Sequence, residues 1–219
     1  MNQLERYQTD DDQRQVSFTD RFDQALVYAS QLHRSQRRKL PPVPYVCHIL
    51  GVAALVIEDG GDEDEAIAAL LHDAIEDQGG AATGLEIQQR FGDRVYGIVQ
   101  GCTINCPDHV SWRSLQQQYI QHLIQADPSV HRVALADKLH NGRSLLGNLY
   151  KTGHDTWNYF HGSADDMIWF YETLLAIFTT LKPGWMTDEL RHVVQQLTAQ
   201  RSAATPSLQI PPFPLLPPA

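Results

Sequence analysis

The stretch that most restricts this chain is Ala66-Ile67-Ala68-Ala69-Leu70-Leu71-His72-Asp73-Ala74-Ile75-Glu76-Asp77, an apolar helical run that ends in four polar groups. On a helix His72 and Glu76 stand four residues apart, Asp73 and Asp77 four apart, and Asp73 and Glu76 three apart. All four therefore project over one patch of the same helix. A helix this apolar belongs in a core. Three carboxyls and an imidazole taken into a core are costly unless they are paired or hold a cation. A divalent metal resolves the conflict, because Asp, Glu and His are ligands for hard and borderline ions. The alternative is a helix end that has reached water, with its charges solvated.

The 219 residues, 42% of them hydrophobic, suffice for one sizeable core and predict a single domain. A formal net charge of −9 argues against a nucleic acid polymer as partner, while leaving room for a local basic patch. Cys47, Cys102 and Cys106 have no second Cys or His pair at zinc spacing, and they read as reduced thiols. The polar first residues carry no signal-peptide pattern, and no apolar run approaches the roughly 18 residues of a membrane span. The expected setting is the cytoplasm, away from membranes. No motif assigns an oligomeric state.

Taken in order, residues 1–16 read as a flexible arm, 17–202 as a helical bundle and 203–219 as a proline-rich tail. Ser17 or Thr19 caps a first helix that runs to about Arg34. The loop from Gln36 to Tyr45 holds three prolines, which forbid helix, and the consecutive cations Arg37, Arg38 and Lys39, a candidate phosphate clamp or a solvated surface. A second helix spans about Val46 to Glu58, with His48 in its first turn. Asp62 or Asp64 caps the third helix, expected to end before Gly79-Gly80. Thr83 to Glu86 has the form of a capping box for a short helix, and Asp93 opens another. Residues Asn105 to Asp108 form a turn, Ser111 caps a helix to about Gln125, and Asp127-Pro128 starts the next, read to Leu146. That helix carries Asp137, either a site carboxylate or the partner of a local Lys or Arg, with Asn141 one turn later. An irregular link over residues 150–162 precedes a helix capped by Ser163 and a last helix from Thr187 to about Gln200. No strand pattern is convincing, and the nucleotide-loop and nucleophile-elbow motifs are absent. The fold class is all-α, a single-domain helical bundle.

His48, His72, Asp73 and Asp137 come from three helices and together make a four-ligand set that leaves coordination positions open. His72 and Asp73 diverge by about 100° around a helix, so they share an ion only if it sits between their directions. Mixed imidazole and carboxylate ligation suits Mn²⁺, Fe²⁺ or Zn²⁺.

The order H…HD…D resembles the HD-domain metal-dependent phosphohydrolases. A wider pattern is more specific: Gln36-x-Arg38-Lys39, Pro44-Tyr45-x-x-His48, Leu70-Leu71-His72-Asp73-x-x-Glu76-Asp77 and Ala136-Asp137-Lys138-Leu139-His140-Asn141. It resembles the hydrolase domain of the RelA/SpoT alarmone enzymes and the Mesh1-like small alarmone hydrolases, over about Phe22 to Leu146. The resemblance implies an HD-type bundle and places His48, His72, Asp73 and Asp137 on the metal ligands, with Mn²⁺ the usual ion. It places Glu76 and Asp77 on the acidic pair that activates water. Arg38, Lys39, Tyr45 and Asn141 fall on substrate-binding positions. The implied reaction removes pyrophosphate from the 3′ position of ppGpp or pppGpp, giving GDP or GTP.

The chain departs from that pattern at Leu40-Pro41-Pro42-Val43, where a small or glycine-rich loop is usual, at Ile49, where proline is common, and at Gln78, where threonine is. These departures keep two alternatives open. One is an HD phosphohydrolase acting on another phosphorylated nucleotide, such as NADPH or ppApp. The other is a non-catalytic nucleotide sensor.

Overall fold

A computed structural model describes residues 18–40, 42–104, 110–160 and 162–202. Its helices are α1 (Asp20–Leu32), α2 (Val46–Glu58), α3 (Glu63–Leu71), α4 (Ala74–Asp77), α5 (Gly80–Phe91) and α6 (Asp93–Cys102), followed by α7 (Trp112–Ile124), α8 (Pro128–Thr152), a 3₁₀ segment (Gly153–Tyr159), α9 (Ala164–Leu181) and α10 (Trp185–Ser202). Among the described residues the only extended pairing is one isolated bridge, Arg37 to Pro44, so the architecture is all-α as expected. The expected arm and tail, and the turn at residues 105–108, lie outside the described residues.

Helix α3 is the centre of the bundle. Ala66 to Leu71 have no exposed surface, as a run that is apolar on every side requires. Helices α2 and α8 pack on it through Ile49, Val52 and Val56 and through Leu135 and Leu139. Outside them, α10 covers α8 with Leu190, Val193 and Leu197. No helix among the described residues is long and apolar enough to cross a membrane.

One end of this core is tied by charge. Asp62 caps α3 by accepting the Glu65 N–H at 3.0 Å, and Glu65 accepts the Asp62 N–H at 3.0 Å, which completes a capping box. The buried Glu65 carboxylate also pairs with Arg132 of α8. Arg132 reaches Asp59 at 3.0 Å, and Asp59 meets Lys182 at 2.7 Å. The end of α2, the start of α3, α8 and the end of α9 thus meet in one network, which leaves the other end of α2 and α3 for the site.

Several boundaries differ from expectation. The third helix does not run on toward Gly79: it ends at Leu71, and a turn at His72 and Asp73 separates it from the single turn of α4. Asp73, at φ −97° and ψ 0°, sits in the sparsely populated bridge region. Thr83 caps nothing. It lies inside α5, with its hydroxyl donating to the Gln78 carbonyl at 2.7 Å, and the helix begins at Gly80 after Gly79 takes φ +125°, a conformation open to glycine. Helix α1 stops at Leu32, α8 continues to Thr152, and the link after it is largely 3₁₀. The last helix begins at Trp185, and the Thr187 hydroxyl donates to the Lys182 carbonyl at 2.6 Å.

Candidate active site

The turn after α3 settles how adjacent residues can aim at one point. With the helix broken at His72, the His72 Nε2 and an Asp73 carboxylate oxygen come within 2.9 Å. His48, in the first turn of α2, brings its Nε2 to 3.5 Å from Asp73 and 3.2 Å from Asp137, and Asp137 on α8 lies 3.6 Å from His72. Ligand atoms held at about 2.1 Å from one ion stand roughly 3.0–3.4 Å apart in octahedral or tetrahedral geometry. The observed separations have that size, and His48, His72 and Asp73 alone form a group able to hold a metal.

The protonation pattern makes the same case. The His72 Nδ1 lies 2.8 Å from the Ala69 carbonyl, which can only accept, so Nδ1 carries the proton and Nε2 is left facing a carboxylate. The His48 Nδ1 lies 2.9 Å from the His140 Nδ1. If His48 donates there, its Nε2 is also bare. Both Nε2 atoms are buried with no hydrogen-bond partner, an expensive arrangement that a cation between imidazoles and carboxylates removes. Burial by itself lowers the His72 pKa, but Asp73 and then Asp137 raise it well above the ordinary value. Burial pushes Asp73 and Asp137 up, and their neighbours reverse this: His72 and His48 around Asp73, Lys138 and the two histidines around Asp137. Both carboxyls end well below the ordinary range. The centre attracts positive charge, and the donor set fits a divalent ion.

The groups around the cluster hold its side chains in place. The Tyr45 hydroxyl donates to Asp73 at 2.5 Å. The Lys138 ammonium sits 2.7 Å from one Asp137 oxygen, while the other oxygen faces the histidines and accepts the Asn141 amide at 2.5 Å. Asp137 thus pairs with Lys138 through one oxygen, as one of the two expectations had it, and turns the other toward the histidines. His140 can lie against His48 because residue 51 is glycine: a Cβ there would stand 2.4 Å from the His140 ring. Burial, then the nearby His48, lowers the His140 pKa to about 4, so it stays neutral and able to accept.

A cavity of about 420 Å³ opens beside the cluster, walled by the loop before α2, by α4, by α7 and by α8 and α9. Glu76 and Asp77 both line it. The Glu76 carboxylate accepts the Ile104 N–H at 3.2 Å; desolvation raises its pKa, the Ile104 N–H partly offsets this, and Asp73 adds to the rise. Asp77 accepts from the Gln36 amide at 2.7 Å, and the Gln36 oxygen in turn accepts from Gln78 and lies 2.7 Å from the His33 Nδ1. The loop that carries Gln36 folds back on itself, with the Arg38 N–H donating to Val43 and the Tyr45 N–H to Gln36. It thereby presents Arg38 and Lys39 to the cavity, and Arg38 donates to Asn141 at 2.8 Å. All ten residues singled out from the sequence lie in the cluster or on the cavity wall. Sequence reasoning did not single out Lys138 and His140, which touch Asp137 and His48. Lys138 and His140 stand inside the Asp137–Asn141 segment, where the local charge pattern was the available signal.

The HD domain model matches residues 25–156. The chain belongs to the HD-domain family. It is 42% identical over 128 residues to the GTP pyrophosphokinase rsh of Brucella melitensis, a match that covers 57% of this chain and 17% of that protein. It is 39% identical over 126 residues to the guanosine-3′,5′-bis(diphosphate) 3′-pyrophosphohydrolase MESH1 of Xenopus tropicalis, covering 56% of this chain and 68% of that protein. A solved structure of a metazoan SpoT ortholog, described as hydrolysing ppGpp, superposes with a TM-score of 0.65 at 24% identity, over 84% of this chain and 97% of that one. That likeness establishes the fold.

Proposed function

We propose that this HD-domain protein is a divalent-metal-dependent nucleotide phosphohydrolase that removes pyrophosphate from the 3′ position of ppGpp, releasing GDP. The observation that carries the reading is the placement of two buried imidazole Nε2 atoms, neither with a hydrogen-bond partner, and two carboxylates held well below their ordinary pKa range, beside a cavity that also holds an acidic pair and a basic pair. The alarmone hydrolase named above, of which the matched region covers 68%, supports the choice of substrate.

His48, His72, Asp73 and Asp137 would hold the ion, with Mn²⁺ the first choice; when bound, it supplies Lewis acidity and makes a nearby water more acidic. Arg38, Lys39 and Lys138 neutralise phosphate charge. Asp77, fixed by Gln36, orients the attacking water, and Glu76, whose carboxyl is biased toward holding a proton, accepts a proton from it. A bond forms from the water oxygen to phosphorus, the bond from the ribose 3′-oxygen to phosphorus breaks, and that oxygen takes up a proton. Tyr45 and Asn141 keep Asp73 and Asp137 in register. A cytoplasmic setting belongs to the proposal and is supported by the unpaired thiols of Cys47 and Cys102.

A second substrate, NADPH or ppApp, is favoured by one feature: Gln78 is built into the Gln36–Asp77 network where the alarmone pattern has threonine. The test is incubation of Mn²⁺-loaded protein with ppGpp, pppGpp, ppApp and NADPH, followed by separation of products. GDP and pyrophosphate from ppGpp, lost in Asp73→Ala, is the expected result. Turnover of another member alone transfers the reaction to that nucleotide. Binding without turnover of any member refutes the hydrolase and leaves a sensor.

A further inference from the structure

The cavity has a far wall that the proposed chemistry does not use. Gln116 on α7 is only 8% exposed, lines this cavity, and its amide has no hydrogen-bond partner among the described residues. The amide is thus open to the cavity, where a bound molecule can meet both its donor and its acceptor. The side chains around it are aromatic. Trp112 stands one turn earlier on α7 and packs edge-on against Phe170, with ring centroids 5.8 Å apart. Phe160 and Tyr171 complete the wall. The indole is held from behind by backbone: a Cβ at Gly162 would lie 2.9 Å from Trp112, so only glycine lets the chain close on that ring. Phe160, Phe170 and Tyr171 lie beyond residue 156, where the HD-domain match ends.

We propose that this wall is a ring-binding subsite in which a nucleobase stacks on the aromatic side chains and Gln116 reads its hydrogen-bonding edge. An amide offers a donor and an acceptor side by side, the pairing a base edge presents, whereas stacking alone accepts any flat ring. The two ends of the cavity then suit the two ends of one molecule: phosphate toward Arg38, Lys39 and Lys138, base toward Gln116. This rests on the nucleotide reading above and adds which residues select the base.

The test uses the full-length, Mn²⁺-loaded protein and four nucleoside diphosphates (ADP, GDP, CDP and UDP), with inorganic pyrophosphate as the probe lacking a base. Binding is followed by calorimetry and tryptophan fluorescence. The expected result is binding of at least one nucleoside diphosphate about tenfold or more tighter than pyrophosphate, with a change in tryptophan emission. Gln116→Leu should level the ranking among bases. Gln116→Glu, which keeps only acceptors, should lose the bases whose edge requires a donor. Trp112→Leu should weaken all four together and preserve their order. The proposal is overturned if pyrophosphate binds as tightly as every nucleoside diphosphate, a result that needs no variant. An unchanged ranking in both Gln116 variants overturns it equally. The two readings fail separately: ppGpp turnover with no base ranking removes the subsite and keeps the hydrolase, while base-ranked binding with no turnover of any nucleotide does the reverse.

Discussion

Gly51→Ala probes the candidate metal centre from a distance. The new Cβ would stand 2.4 Å from the His140 Cδ2 and 2.5 Å from its Nε2, where ordinary contact begins near 3.4 Å. The ring must therefore retreat by about 1 Å. Its Nδ1 now lies 2.9 Å from the His48 Nδ1, and a ring displacement of that size breaks the alignment of this hydrogen bond. His48 then loses the partner that fixes its tautomer and keeps Nε2 bare. Loss of such an outer partner costs roughly 10–100-fold in metal affinity, about 1.4–2.7 kcal/mol.

Stability without metal responds differently. Alanine in a helix interior gains about 1 kcal/mol over glycine, and overpacking costs about 1–3 kcal/mol, so the net change is a loss of about 0–2 kcal/mol. In a His140→Ala background the obstruction is gone, and the same Gly51→Ala change should stabilise by about 1 kcal/mol. Titration with Mn²⁺ by calorimetry, and urea melts of the four proteins of the cycle without metal, measure both effects. The reasoning is refuted if Gly51→Ala binds the ion as the parent does, or if its stability change is the same whether or not His140 is present.

Other predictions test neighbouring contacts. Tyr45→Phe removes the donor to Asp73; a hydrogen bond to a charged group is worth about 1.5–3 kcal/mol, so metal affinity or turnover should fall roughly tenfold or more, and values within twofold of the parent would contradict it. Arg132→Ala strips the cation shared by the buried Asp59 and Glu65 carboxylates and should cost about 3 kcal/mol in a denaturant melt; a loss under about 1 kcal/mol would show that water and Lys182 suffice. The His140 pKa is about 4 in the fold against an ordinary 6.5, so the unfolded chain takes up that proton first as pH falls. The contribution is thus intact above pH 6.5 and is lost as pH drops from 6.5 to 4, by about 1–2 kcal/mol once solvent screening of the partly exposed ring is allowed for. Measured without metal, His140→Gln should flatten that part of the stability–pH curve by up to one proton, and superimposable slopes would refute the assignment.

What could be read from the sequence was what neighbours along a helix determine. Helices α2 and α9 and the caps Thr19, Ser111, Asp127 and Ser163 follow from local spacing and side-chain chemistry, and they stand as expected. The run at Ala66 to Leu71 is buried because its composition allows nothing else. The boundary errors share a cause. Gly79 and Gly80 stop one helix and also start the next, so Thr83, a plausible cap on sequence alone, falls inside α5. The helix through Asp137, read to Leu146, continues because Leu149 stays buried, and α8 ends only at the positive-φ glycine at 153.

The same limit governs the candidate site. An uninterrupted helix sets His72 and Asp73 about 100° apart, and no local signal announces the break that turns both toward one point. Across that break His48 and Asp137, arriving on other helices, lie 3.5 Å from Asp73 and 3.6 Å from His72 respectively. Contacts spanning many residues complete the arrangement: His140 against His48 through the space left at Gly51, Arg38 to Asn141, and Trp112 under Gly162. Each pairs residues from separate elements, so spacing within one helix cannot reveal it. Gln116 is the plainest case. Beside Gln117 and Gln118 it looks like one more polar residue on a surface helix, and only the fold shows that those two face water while Gln116 is enclosed against the cavity. Residues that resemble their neighbours in sequence and differ from them in environment are thus where the selectivity of such a pocket should be sought.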